Sequence, residues 1–450
     1  MLDFEKTLTS YVDRNEQELI GRLAELIRKP SVSSSGEGVS ECCDFIVERM
    51  RRIGIDARRH EVKPYPVITG ILGNDPAKKT VLIYAHYDVQ PVGDRARWRT
   101  EPFEPTIIDG KMYGRGTADN KGPLSAHLCA VEFFLREYGE LPVNVRFLFE
   151  GCEESNSAGL QEFINEHADM LKSDITYFSD GSKNHNDTPI IALGVKGMLY
   201  VELRLTTMTR DLHSQYAPVL PSAAWQMVEL LGKIKKDGRC LIPGFYDDVI
   251  PITPQEREIY DRLPDIRDNL KQTYNAYPSY DPELGYYGQL NGMPSCNISG
   301  LLSGHVGEGT ATVLTSRAMA RIDMRLVAAQ DGEKILKSLK QYIRDLGYDN
   351  VEVICHGITP PSKTPIDTPY LAPVERATNA VFGKSMVYPN RPSTAPDYFW
   401  TSLLKTPTIQ VRWCDFDSDN HAPNEHLTLS NYLRGIRLTA TALHEISRMP

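Results

Sequence analysis

Five places in this chain put a histidine or a carboxylate where a folded core would hold it still. TVLIYA at 80–85 runs into His86-Tyr87-Asp88, VNVRFLFE at 143–150 into Gly151-Cys152-Glu153-Glu154, and DITYFSD at 174–180 closes on Asp180. TIQVRW at 408–413 is followed by DFDSDNHAPNE, with His421 amid Asp415, Asp417 and Asp419, and the glycine-punctuated loop GRGTADNKG at 114–122 presents Asp119. A His followed two residues on by an Asp suits a metal ligand backed by an orienting carboxylate. Two His with three carboxylates, a mixed nitrogen and oxygen donor set, suit a pair of borderline cations such as Zn²⁺, Co²⁺ or Mn²⁺ that share one bridging carboxylate. Each place alone also fits something commonplace: a hydrogen-bonded strand-end histidine, an Asx-type turn that caps a helix, or a solvated acidic turn. It is their joint occurrence that points to a metal site.

Such residues need elements to hold them. In an open parallel sheet, ligands gather at the carboxyl ends of strands. Apolar stripes at helical spacing over 15–28, 40–53, 122–138 and 159–171 alternate with the continuous apolar runs, which is the pattern of an α/β layer with a mainly parallel sheet. After PIIALGVKG at 189–197 the texture changes, because YVELRLTT alternates like a half-exposed strand. Helical stretches at 222–236 and 332–346, alternating strands in ATVLTSRAMARIDMRLV and VEVICHG, and a Tyr, Pro and Asp-rich insert at 241–295 make an α+β region. From about 369 the first texture returns, with a helix at 370–382, a strand at 408–413 and an amphipathic helix at 430–447. The expected organisation is therefore a catalytic domain formed by 1–193 and 369–450, interrupted by an inserted α+β domain at 194–368.

Composition narrows the classes. Apolar residues at 41% and charged residues at 24% of 450 are ordinary globular usage. Lys plus Arg number 50 against Asp plus Glu 59, a net charge of −9, so no basic surface is expected for nucleic acid. No run approaches the roughly 18 apolar residues of a spanning helix, and MLDFEKTL lacks the apolar core of a signal peptide, so a cytoplasmic protein without membrane contact is expected. Eight cysteines, none in a C-x-x-C pair, read for the most part as buried reduced thiols.

His86-Tyr87-Asp88, GRGTADNKG, Glu153-Glu154, Asp180 and His421 in NHAPNE, in this order and with an inserted domain, together resemble the co-catalytic dinuclear metallopeptidase family. That family includes carnosinase-like dipeptidases, glutamate carboxypeptidases, aminoacylase and succinyl-diaminopimelate desuccinylase. The resemblance spans nearly the whole chain and implies a zinc-peptidase-like catalytic domain interrupted by a lid or dimerisation domain. It implies two divalent ions per subunit, zinc first and manganese or cobalt next, with His86 and Asp180 on one, Glu154 and His421 on the other, and Asp119 bridging. Glu153 would be the general base, drawing the proton from a hydroxide-forming water between the ions, and Asp88 would join the catalytic set by orienting His86. The resemblance also implies a cis peptide at Asp119-Asn120 and a homodimer formed through the lid. His213, in Asp211-Leu212-His213-Ser214, would reach an active site, that of the partner subunit, and Arg325, in ARIDMRLV, would clamp a substrate carboxylate; a surface histidine and an arginine paired with Asp323 are the plainer alternatives. Arg391–Pro396 matches the family pattern only in part and receives no role. Between Glu153 and Glu154, successive side chains of an extended strand end point oppositely, so only one of them should face the metals.

The long insert at 241–295, with GFYDDV near its start, resembles the dipeptidase branch of that family, and the resemblance implies short peptides with a free C-terminal carboxylate as substrates. Deacylation of N-acyl amino acids at the same site is the alternative, and a non-catalytic peptide-binding scaffold is a third reading.

Overall fold

The run TVLIYAH forms the strand Thr80–His86, buried along nearly its whole length. Its side chains alternate between two covered faces. Val81, Ile83 and Ala85 enter the large core cluster, while Tyr84 packs on Phe178 and Trp400 with ring centroids 5.5 and 4.7 Å away. Burial on both sides is why the run reads as continuously apolar.

The computed structural model describes residues 2–450. The chain divides into two units: Met1–Leu193 with Thr364–Pro389 and Phe399–Pro450, and Gly194–Lys363 with Asn390–Tyr398. In the first unit an eight-stranded sheet runs in the order Asp56–His60, Val67–Leu72, Asn144–Glu150, Thr80–His86, Ile175–Phe178, Thr408–Arg412, Ile190–Ala192, Met386–Tyr388. The four central strands, from Asn144–Glu150 to Thr408–Arg412, are mutually parallel, so their carboxyl ends share one edge. Antiparallel strands flank them on both sides, which makes the sheet mixed, with a parallel centre. Sequence periodicity misses Asp56–His60, because DARRH is charged and largely exposed. It also misses the helix Leu2–Arg14.

Glu16–Ile27 buries the expected stripe of Leu19, Ile20, Leu23, Leu26 and Ile27, each worth about 1.5–3 kcal/mol when fully removed from water. Lys121–Tyr138 is buried from its first residue through Phe134. The helix expected over 159–171 is two, Leu160–Glu166 and Ala168–Leu171, separated at His167. Leu429–Ser447 approaches closely at Gly435, where a Cβ would stand 2.4 Å from the Trp413 ring. Among the described residues no helix is long and apolar enough to cross a membrane.

The second unit is built on a four-stranded antiparallel sheet, Ser295–Ser303, Arg317–Leu326, Gly197–Thr206 and Val351–Thr359 in that order. Leu199, Val201, Leu203 and Leu205 turn to the core shared with the helices Ala223–Ile234 and Gly332–Asp345, while Arg204 and Thr206 face out. Ser222 and Asp331 cap these helices through their side chains. The 241–295 insert contains three helices, Pro254–Asp261, Arg267–Tyr274 and Gly285–Gly292; the capping box of Thr253 and Glu256 starts the first. This unit leaves off at Lys363 and takes in Asn390–Tyr398. The backbone explains why: Val195 bridges to Arg391, Lys196 N donates to Ser393 O at 2.9 Å, and Thr394 Oγ1 donates to Gly197 O at 3.3 Å.

Candidate metal centre

The parallel strands deliver their side chains to one edge. His86 ends its strand opposite Glu150 in register, fully buried, with Nδ1 3.4 Å from Asp88 Oδ1 and Nε2 3.1 Å from Asp119 Oδ1. Asp88 does more than orient that ring. Its two oxygens accept from the backbone N–H groups of Glu153 and Glu154, each at 3.1 Å, so one carboxylate fixes both His86 and the acidic turn. That turn, Glu153–Ser155, is a 3₁₀ helix. The extended-chain argument for the orientation of Glu153 and Glu154 therefore does not apply, because the backbone coils to present its N–H groups to Asp88.

Asp119 lies in a loop that its neighbours hold tightly. The Asp119-Asn120 peptide is cis, Asn120 Nδ2 donates to Ser179 O at 2.7 Å beside Asp180, and a Cβ on Gly122 would stand 2.1 Å from Thr117 O. The strongest restraint is a residue the sequence reading passed over. Glu425, fully buried, accepts from Ala118 N at 2.9 Å and Asp119 N at 3.0 Å through Oε1, and from Gly116 N and Arg115 Nη1, both at 2.8 Å, through Oε2. Its sequence signal was the Glu that closes NHAPNE, four residues after His421, but only the tertiary fold shows what it grips. The neighbouring acids have structural partners: Asp415 accepts from Asn431 and Thr428 N, and Asp417 pairs with Lys111.

Two donor groups result. His86, Asp119 and Asp180 each offer an atom within 4.8 Å of the others, and so do Asp119, Glu154 and His421. Asp119 belongs to both. Glu154 Oε2 lies 3.3 Å from His421 Nε2 and accepts from Gln90 Nε2 at 2.9 Å, whereas its buried Oε1 has no hydrogen-bond partner. Glu153 belongs to neither group and stands at the margin, with Oε2 4.0 Å from His86 Nε2.

The charges are unbalanced. Burial raises the Glu153 carboxyl far above its ordinary range, against the pull of His86. Burial and then Asp119 lift Asp180 to about 6. Pairing with Asp119 and then Glu154 raises His421 to about 10. Burial opposes ionisation of Asp119, but His421 and His86 hold its carboxyl below the usual range. Five carboxylates, counting Asp88, face two imidazoles, with the half-buried Arg412 near Asp180 and Asp119; Arg412 packs over Gly181 so closely that a Cβ there would lie 2.3 Å from its guanidinium. The nitrogen and oxygen donors, the unpartnered Glu154 oxygen and the anionic excess all suit divalent cations.

His213 and Arg325 belong to the second unit. His213 is exposed, accepts from Gln215 N through Nδ1 and sits 3.3 Å from Thr312 Oγ1 through Nε2. Arg325 donates to Thr394 Oγ1 at 2.6 Å, while Asp323 accepts from Asn297, so the Arg325–Asp323 pair is not formed. The described cysteines are free, all buried except the exposed Cys355.

Comparison with known proteins gives a consistent set. The family described as "Peptidase family M20/M25/M40" matches residues 82–445. The Cys-Gly metallodipeptidase dug1 of Schizosaccharomyces pombe is 28% identical over 98% of each chain. The Beta-Ala-His dipeptidase of Homo sapiens is 31% identical over 85% of this chain and 78% of that one. The crystal structure of an M20 family metallo-carboxypeptidase, Sso-CP2 of Sulfolobus solfataricus, superposes with a TM-score of 0.84 at 34% identity, covering 96% of this chain and 100% of that one.

Proposed function

The chain belongs to peptidase family M20/M25/M40, and from that premise we propose that it cleaves dipeptides or short peptides bearing a free C-terminal carboxylate, with two divalent cations, zinc first. The observation that carries the reading is the pair of three-donor groups that share Asp119, with Glu153 beside them but in neither. His86 and Asp180 would hold one ion, Glu154 and His421 the other, and Asp119 would serve both. When bound, the two cations supply Lewis acidity, lowering the pKa of water toward about 7 and polarising the scissile carbonyl. Asp88 keeps the His86 ring and the Glu153-Glu154 turn in register. Glu153 takes the proton of the attacking water and delivers it to the departing amine, a role worth about 10²–10⁴ in rate. The dipeptidase names of its relatives support a dipeptide substrate. We assign the second unit to homodimer formation, His213 to the partner's active site and Arg325 to the substrate carboxylate.

The test is a hydrolysis panel of dipeptides and N-acyl amino acids run with zinc, manganese and cobalt, beside elemental analysis. Dipeptide cleavage with two ions per chain is expected. Turnover of N-acyl amino acids alone would replace this reading with deacylation, and no bound metal with no turnover would leave a peptide-binding scaffold. Asp119→Ala should lose both ions, since its carboxylate serves each group.

A further inference from the structure

Lys196 is a buried lysine, 4% exposed, that the metal centre does not use. It stands in Gly194-Val195-Lys196-Gly197, where both glycines permit close backbone contacts. A Cβ on Gly194 would lie 2.5 Å from Ser362 O, and one on Gly197 2.5 Å from Thr359 O. The root of the side chain is thus fixed, and its Nζ donates to Met293 O at 2.5 Å. Two of its three N–H donors remain for another acceptor.

Arg325 hangs from the same frame. Its strand pairs with the one that follows Lys196, Met198 opposite Arg325, and its Nη1 donates to Thr394 Oγ1. Thr394 donates in turn to Gly197 O, and Lys196 N to Ser393 O. Both cations line one cavity of about 1260 Å³, together with Met293 and Pro392. Asp237 and Asp281 line it too, but among the described residues no ion pair joins a carboxylate to Lys196 or Arg325. Burial, then the nearby Arg325 charge, pulls the Lys196 ammonium down to about 8. A buried ammonium beside a second cation, with no acid to neutralise either, is costly to keep unless an anion occupies the space between them. A planar fork and a point charge lining one cavity suit a carboxylate.

We propose that Lys196 acts with Arg325 as a two-cation clamp on the substrate's terminal carboxylate, and is the residue that restricts this peptidase to free acids over their amides. The clamp rests on the peptidase reading above. It also brings the Arg391–Pro396 segment, left without a role by sequence, into the specificity pocket as the support for both cations.

The test compares the metal-loaded parent with Lys196→Met and Lys196→Arg on a dipeptide and on the same dipeptide as its C-terminal amide. For the free acid, Lys196→Met should raise KM roughly 10- to 100-fold, the effect of removing a hydrogen bond to a charged group, with metal content and kcat little changed. The amide should be a poor substrate of the parent and no worse for the variant, and Lys196→Arg should restore most of the affinity. Equal losses on acid and amide would make Lys196 a strut for Met293 and overturn the proposal, as would no loss at all. Calorimetric binding of free leucine against leucinamide separates this from the peptidase reading. If the parent hydrolyses nothing, yet Lys196→Met binds leucine at least 10-fold more weakly than the parent does while leucinamide binding is unchanged, the clamp stands and the peptidase reading falls. Unchanged leucine binding removes the clamp whatever the turnover.

Discussion

Replacing Glu425 by glutamine changes one acceptor oxygen into a donor nitrogen and removes a buried charge. The native carboxylate receives two donors on each oxygen: Ala118 N and Asp119 N on one, Gly116 N and Arg115 Nη1 on the other. An amide can keep one pair at most, because its NH₂ group would face the other pair donor to donor. Arg115, 1% exposed, would retain Pro91 O and its stacking on Trp98 at 5.2 Å but no counter-charge. Breaking a buried ion pair by removing one partner costs about 3–5 kcal/mol, a large share of the roughly 5–15 kcal/mol that holds a typical domain. Since the lost bonds fasten Asp119 N, affinity for both ions should fall with stability, by about 10- to 100-fold, as for outer partners of metal ligands elsewhere. Urea unfolding of metal-free protein and competitive metal titration of the intact chain measure the two effects separately. Asp417→Asn is the control, since that carboxylate pairs with Lys111 while mostly exposed, and should cost no more than about 1 kcal/mol. If Glu425→Gln matched the parent within about 0.5 kcal/mol and bound metal equally well, the argument that Glu425 sets the Asp119 loop would be wrong.

Two further outcomes follow from the same geometry. Glu153→Gln should keep both ions while kcat falls by about 10²–10⁴ with little change in KM, and Glu154→Gln should lose metal first; a metal-depleted Glu153 variant beside a metal-replete, inactive Glu154 variant reverses the assignment. His127 is fully buried, with Nδ1 2.9 Å from Thr439 Oγ1 and Nε2 without a partner, and burial lowers its pKa from 6.5 to about 3. The folded imidazole stays neutral while the unfolded chain takes up a proton below pH 6.5, so stability is lost from 6.5 downward, at up to about 1.4 kcal/mol per pH unit and about 2 kcal/mol by pH 5. His127→Gln should shrink the fall in urea midpoint between pH 7.5 and 5, and an unchanged fall would exclude His127 as its source.

Much of the site was written in the chain itself. A parallel strand buried on both faces must be apolar along its length, so TVLIYA and its counterparts announce their ends, and the candidate site residues stand where the apolar runs stop. Local sequence also carries the helical stripes and the break in texture near Gly194. What it does not carry is pairing between distant segments. Asp88 fastens a turn 65 residues away, Glu425 grips a loop 306 residues back, and Arg325 reaches Thr394 across 69 residues. The sequence shows these only as polar residues of unknown partner. The tertiary structure decides them because a buried charge is tolerated only where opposing donors or acceptors meet it, and those come from whichever segments the folded core brings alongside.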